Sequence, residues 1–121
     1  MGIGMGKRIL IVDDSSMMRK MVGEALEAHG HTIVGYAKNG DEAIGLYKSL
    51  SPDLVTMDIT MRGMDGLTAA KEILKHDGQA RIVFLSNLID NKCREEAMLL
   101  GAKDFINKNE TAKILQCIDN L

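Results

Sequence analysis

Hydrophobic and polar positions alternate along this chain in two rhythms. Ile9 to Val12 is a short unbroken apolar run, as expected of a strand buried on both faces. Ser15 follows as an N-cap, and Met18, Val22, Ala25 and Leu26 keep helical spacing up to Gly30. Thr32 to Ala37 is a second strand-like run, and Asn39-Gly40 turns the chain. Asp41 to Leu50 then carries Ala43, Ile44, Tyr47 and Leu50 on one helical face. Leu54 to Met57 is a third strand, ending in Asp58. Leu67, Ala70, Ile73 and Leu74 mark a third helix. Arg81 to Leu85 is a fourth strand, ending in Ser86. Cys93, Ala97 and Leu100 mark a fourth helix, closed by Gly101. Phe105-Ile106 is a short fifth strand ending near Lys108, and Ile114, Leu115 and Ile118 mark a last helix. Five strand-then-helix units predict an α/β fold, a doubly wound parallel sheet with five helices on its two faces.

Composition narrows the class. At 121 residues the chain suits one domain, spanning 1–121, with 1–6 expected as a loosely ordered tail. With 45% hydrophobic residues it can bury a core without metals or disulfides. A net charge of −2 and 3% aromatics argue against direct nucleic-acid binding. No apolar run reaches membrane-spanning length, and the first residues lack the apolar core of a signal peptide, so a cytoplasmic protein with no membrane insertion is expected. Cys93 and Cys117 lie 24 positions apart and read as small buried residues in a reducing compartment. His29, just before Gly30, reads as a favourable charge at a helix C-terminus.

The chemistry lies at the strand ends. Strand one ends in Asp13-Asp14, strand three in Asp58, strand four in Ser86 and strand five near Lys108. Ligands of open parallel sheets bind at the carboxyl ends of the strands, so four strands would deliver three carboxylates, a hydroxyl and an ammonium to one place. Taken singly, Ser15, Ser16 and Ser86 read as helix caps. Three adjacent carboxylates repel unless a cation joins them, and an oxygen-only cluster suits Mg²⁺. Asp58, alone at its strand end, is the natural nucleophile, with Asp13 and Asp14 holding the ion. Lys108 would supply positive charge to phosphate oxygens and Ser86 a hydrogen bond.

These residues resemble the motifs of the response-regulator receiver domain of two-component systems, the CheY-like family. Ile9 to Ser15 resembles its first-strand signature, and Asp58 to Met61 with Met64-Asp65-Gly66 its phosphoacceptor motif. Phe84 to Ser86 and Gly101 to Lys108 match its last two strands. The intervals of 44 from Asp14 to Asp58, 28 to Ser86 and 22 to Lys108 also fit. The resemblance covers residues 7–121 and implies a flavodoxin-like strand order 2-1-3-4-5. It implies that Asp58 accepts a phosphoryl group from a sensor histidine kinase or phosphotransfer protein. Mg²⁺ would be held by Asp14, Asp58 and the backbone carbonyl of Thr60, with Asp13 helping through water. Ser86 would move towards the phosphate and Phe105 turn inward. The repacked face of the fourth helix, fifth strand and fifth helix would be read by an output protein. Phe105 also reads as simple core.

Several positions depart from the family pattern. Arg62 and Asn109 stand where proline is usual. The Lys–Pro bond is typically cis in the family, and cis before a non-proline residue costs about 2.5–4 kcal/mol, so a trans Lys108–Asn109 bond is expected. A shifted loop there would aim Lys108 less well. Asn87 replaces a small residue and either crowds the phosphoryl group or positions the attacking water. Thr60 and Leu88 sit beside that water's path, and the apolar Leu88 suggests slow hydrolysis. Arg62 either attracts an acidic partner or phosphodonor or is a solvated loop residue, the latter being the commoner role of a surface charge. The chain is not expected to be an enzyme beyond catalysing its own phosphorylation and dephosphorylation. Two other readings stand beside this one. The first is an interaction module that signals without phosphorylation. The second is an Asp-nucleophile phosphohydrolase, whose Asp-x-Asp motif would need a carboxylate where Ser15 stands. The end of the chain at Leu121 reads as that of a single-domain regulator or of a receiver cut from a longer protein.

Overall fold

The computed structural model describes residues 6–87 and 90–121. Strands β1 (Arg8–Val12), β2 (Thr32–Ala37), β3 (Leu54–Asp58), β4 (Ile82–Ser86) and β5 (Asp104–Asn107) alternate with five helices. The helices are α1 (Ser16–Ala28), α2 (Gly40–Leu50), α3 (Gly66–His76), α4 (Asn91–Leu99) and α5 (Thr111–Asp119). All pairings are parallel, in the order β2-β1-β3-β4-β5. The chain winds outward from β1 to β2, then crosses back to β3 on the other side. The carboxyl ends of β1 and β3 therefore flank the reversal in strand order, where such sheets leave a crevice.

The apolar runs divide cleanly between the two faces because successive strand residues point to opposite sides. Leu10, Val12, Val55, Met57, Ile82, Phe84 and Phe105 pack with Ala43 and Tyr47 of α2, Ala69, Ala70 and Ile73 of α3, and Ala97 of α4. Ile9, Ile11, Leu54, Val83, Leu85 and Ile106 pack with Val22 and Leu26 of α1 and Ile114 and Ile118 of α5. β2 lies at one edge and is only partly covered, which is why its run mixes exposed and half-buried residues. Four helices start on a side-chain cap, which satisfies donors their first turn leaves free. Ser15 Oγ accepts from the Met18 amide, Asn39 Oδ1 from Glu42, Asp65 Oδ1 from Thr68, and Asp90 Oδ1 from Lys92.

Away from the strand ends, two expectations are refined. Cys93 and Cys117 are free thiols, half-buried rather than buried. Burial and neighbouring Asp104 push the Cys117 thiol up to about 11. His29 does cap α1, and its Nδ1 also lies 3.0 Å from Asp119 on α5. The buried His31 completes this tie: its Nε2 lies 2.8 Å from Asp119, while its Nδ1 accepts from the Lys7 amide. The expected loose tail falls outside the described residues except for Gly6, which is pressed against the backbone of Gly30.

Thr56 is the polar exception inside β3. It is 1% exposed, and its hydroxyl has no hydrogen-bond partner among the described residues. A buried hydroxyl left unpaired costs about 1–3 kcal/mol. Thr56→Val keeps the shape and removes that cost, so a gain of about 1 kcal/mol is expected in urea unfolding. A loss of stability would show that the hydroxyl is satisfied in solution.

Candidate functional site

The acidic pocket is built from strand ends. β1 ends at Val12, but its pairing continues one residue further, since the Asp13 amide donates to the Ala37 carbonyl at 3.0 Å. This holds Asp13, 3% exposed, at the mouth of the sheet. Asp13 Oδ1 accepts from the Ser15 amide at 2.9 Å, and its carbonyl accepts from Arg19 Nη1 at 2.7 Å. Asp14 is exposed. Asp58 is the last residue of β3 and is 4% exposed. Behind it, a Cβ on Gly66 would fall 2.0 Å from the Asp58 carbonyl oxygen. Only glycine allows the β3–α3 loop to close this tightly, with the Gly66 amide donating to the Ile59 carbonyl at 2.8 Å.

Lys108 enters from beyond β5. Its Nζ lies 2.8 Å from Asp13 Oδ2 and 3.2 Å from Asp58 Oδ2. With asparagine at 109 the lysine still reaches both buried carboxylates. The Lys108–Asn109 bond is trans, as expected. The loop is held by two hydrogen bonds, the first of which a proline at 109 could not make. The Asn109 amide donates to Asn107 Oδ1 at 2.8 Å, a side-chain turn, and the Lys108 amide donates to the Ser86 carbonyl at 2.9 Å.

The electrostatics follow from this packing. Burial is the main cause raising the Asp58 carboxyl, the Asp13 charge adds to it, and Lys108 works against both; the result is about 6. Burial opposes the charge on Lys108. Its hydrogen bond to Asp13 and the charges of Asp58 and Asp13 outweigh that and hold it above the ordinary lysine value. Asp13, Asp14 and Asp58 can each offer an oxygen with all three within 4.8 Å of one another. Such a set fits a hard divalent cation such as Mg²⁺, which takes oxygen ligands and keeps several waters.

Ser86 ends β4 and is buried beside this pocket's rim strand, and Phe105 is buried in the α2–α3–α4 layer with its carbonyl accepting from Arg94 Nη1. Thr60, Arg62, Asn87 and Asn109 are exposed loop residues. Leu88 lies outside the described residues. Ser15 spends its hydroxyl on the α1 cap, so an Asp-x-Asp pattern starting at Asp13 lacks its second carboxylate. The sequence reading missed Arg19 and Lys38. Lys38 was legible by the same rule as the others, because it follows the last residue of β2 at the carboxyl edge of the sheet.

A sheet wound 2-1-3-4-5 with a carboxylate triad and a lysine at its switch point is the architecture of a receiver domain. The family model for the response regulator receiver domain matches residues 9–119, and the chain belongs to this family. It is 48% identical over 116 residues to the chemotaxis protein CheY of Bacillus subtilis, covering 95% of this chain and 97% of that protein. It is 49% identical over 104 residues to CheY of Thermotoga maritima, covering 86% and 87%. Among solved structures it is similar to the CheX–CheY–BeF3–Mg complex of Borrelia burgdorferi, with a TM-score of 0.90, 36% identity, and 93% and 87% coverage. The response regulator domain of Thermotoga maritima CheB matches with a TM-score of 0.88 at 32% identity, with 95% of each chain covered.

Proposed function

We propose that this receiver is a phosphoacceptor in a two-component or phosphorelay system, with Asp58 as the acceptor. The observation that carries the reading is the buried contact of Asp58 with Lys108, beside Asp13, at the end of β3. Asp58 Oδ attacks phosphorus of a kinase or phosphotransfer protein's phosphohistidine. The O–P bond forms, the N–P bond breaks, and the imidazole leaves with the bonding pair and takes a proton. Lys108 meets the charge on the phosphoryl oxygens, and the Ser86 hydroxyl donates to one of them. Asp13, Asp14, Asp58 and the Thr60 carbonyl would hold Mg²⁺, which supplies charge neutralisation for the approach of the phosphoryl group. Near neutral pH an Asp58 carboxyl raised to about 6 is mostly ionised and competent to attack.

The reading extends to output. A phosphoryl group at Asp58 draws on Ser86, and β4 is hydrogen-bonded to β5, where Phe105 is buried. A new local charge thus biases the α4–β5–α5 face that an output protein would read. The chain would act on no substrate but its own Asp58 and would work in the cytoplasm, where a kinase's phosphohistidine is presented. No helix among the described residues is long and apolar enough to cross a membrane.

Labelling with acetyl phosphate and Mg²⁺, followed by intact mass, tests the reading. One phosphoryl group is expected on the native chain and none on Asp58→Asn. Equal labelling of the variant would refute the site. No labelling of the native chain under any Mg²⁺ concentration would favour the module that signals without phosphorylation.

A further inference from the structure

A second charged feature adjoins the pocket. A cleft of about 470 Å³ opens on Asp14 and is lined by Asp14, Lys38, Asn39 and Arg62. Lys38 and Asn39 come from the β2–α2 connection and Arg62 from the β3–α3 loop. The two loops are locked together: a Cβ on Gly40 would come within 2.9 Å of the Met64 side chain, so Met64 seats directly on the first turn of α2. That packing holds the two loops side by side, and Lys38 and Arg62 line the same cleft. Among the described residues Arg62 has no ion-pair or hydrogen-bond partner. Among the described residues the Lys38 ammonium has only a long 4.0 Å pairing with Glu42. Both cations are therefore available to an anion.

The need for them follows from the charge of the pocket. Three carboxylates and one buried ammonium leave the floor net negative, and an incoming phosphoryl dianion is repelled by it at long range. We propose that Lys38 and Arg62 form a cationic entry wall that captures the phosphoryl dianion of a small-molecule phosphodonor and guides it past Asp14 to Asp58. They are positioning residues: they act on the anion's approach and make no bond to the reacting carboxylate. The inference rests on the phosphoacceptor reading above. It replaces the solvated-loop reading of Arg62 with a role shared with Lys38.

The wall makes two predictions of opposite sign. Removing its charges slows arrival of an anion, and it also removes repulsion of a cation at the neighbouring carboxylates. A merely structural role for these residues would weaken both. Phosphorylation by acetyl phosphate, a dianion at neutral pH, is measured by intact mass over a salt series for the native chain. The same series is run on Lys38→Ala, Arg62→Ala, the double variant and Arg62→Lys. Mg²⁺ affinity is measured by calorimetry. The double variant is expected to react about fivefold more slowly at low salt, with a flattened salt dependence. Its Mg²⁺ affinity should be unchanged or tighter. Arg62→Lys should restore most of the Arg62→Ala loss, and phosphoramidate, a monoanion, should be less affected. Native rates and native salt dependence in the double variant, with Asp58→Asn unlabelled, would overturn the wall and leave the phosphoacceptor reading standing. Slower reaction accompanied by weaker Mg²⁺ binding would also overturn it, because the pocket itself would have been damaged. A native chain that takes no label, or an Asp58→Asn chain that labels equally, would overturn both.

Discussion

Replacing Lys108 with alanine is expected to lower the unfolding free energy by about 2–4 kcal/mol in magnesium-free buffer. The ammonium side chain is 5% exposed and reaches two carboxylates, themselves 5% exposed, at 2.8 and 3.2 Å. Removing one partner of a buried ionic cluster leaves the others uncompensated, and here the remainder are like charges. The exposed Asp14 keeps one side of the pocket wet, which is why the lower part of the range for buried pairs applies. Two comparisons separate charge from packing. Lys108→Met keeps most of the apolar stem that lies near Ile114, Leu115 and Val22, so the part of the loss it shares with alanine is electrostatic. Adding Asp58→Asn to Lys108→Ala removes a repelling carboxylate and should recover about half of the loss. Urea unfolding with excess chelator gives all four values. A change under about 0.5 kcal/mol, the scale of ordinary surface substitutions, would mean that the lysine is solvated and the contacts contribute little. Saturating Mg²⁺ should shrink the Lys108→Ala deficit, since the ion would supply positive charge to the same oxygens.

What could be read in advance divides by range. The strands and most helix starts were legible because local chemistry sets them. Residues 9–12 and 82–85 have to be buried on two sides, and Asp13 and Asp58 stop their runs where the sheet ends. The pairing order of the strands is not local, since nothing in residues 32–37 says that they pair with β1 alone. It came from the resemblance to receivers. What restrains the loop after β5 was hidden for a related reason. The missing proline is visible at position 109, but the Asn107 side chain that replaces its restraint works only in the folded turn. α4 is the least patterned helix, with only Ala97 fully buried, and its other apolar residues are half-covered or exposed. The cleft between Lys38 and Arg62 was also hidden. It depends on Met64 meeting Gly40, a contact 24 positions apart with no periodic signal.

Asp58→Asn is expected to stabilise the fold in the absence of Mg²⁺ and to lose that advantage when Mg²⁺ is added. Burial first, and Asp13 second, raise the Asp58 carboxyl from 3.8 to about 6. Between those values the folded chain keeps a proton that the unfolded chain has released. Stability from this group therefore falls as pH rises through that window, and the full cost stands above about pH 6. A shift of this size would be worth about 3 kcal/mol in a sealed interior, and the wet side of the pocket reduces it to about 1–2 kcal/mol. Asparagine has no charge to desolvate, and its carbonyl can still accept from Lys108, so the variant avoids the cost. The difference between the two chains should be near zero at pH 4, grow to pH 6 and then level off. Mg²⁺ reverses the ranking because a ligand that binds only the folded state adds about 2.7 kcal/mol at a hundred times its dissociation constant, and the variant has lost one ligand oxygen. Thermal unfolding of both proteins at pH 4, 6 and 7.5, with chelator and with Mg²⁺, reads the two effects separately. A variant less stable than the native chain at pH 7.5 in chelator would show that Lys108 already neutralises the pocket. The three carboxylates would then be no reservoir of repulsion for a metal or a phosphoryl group to relieve.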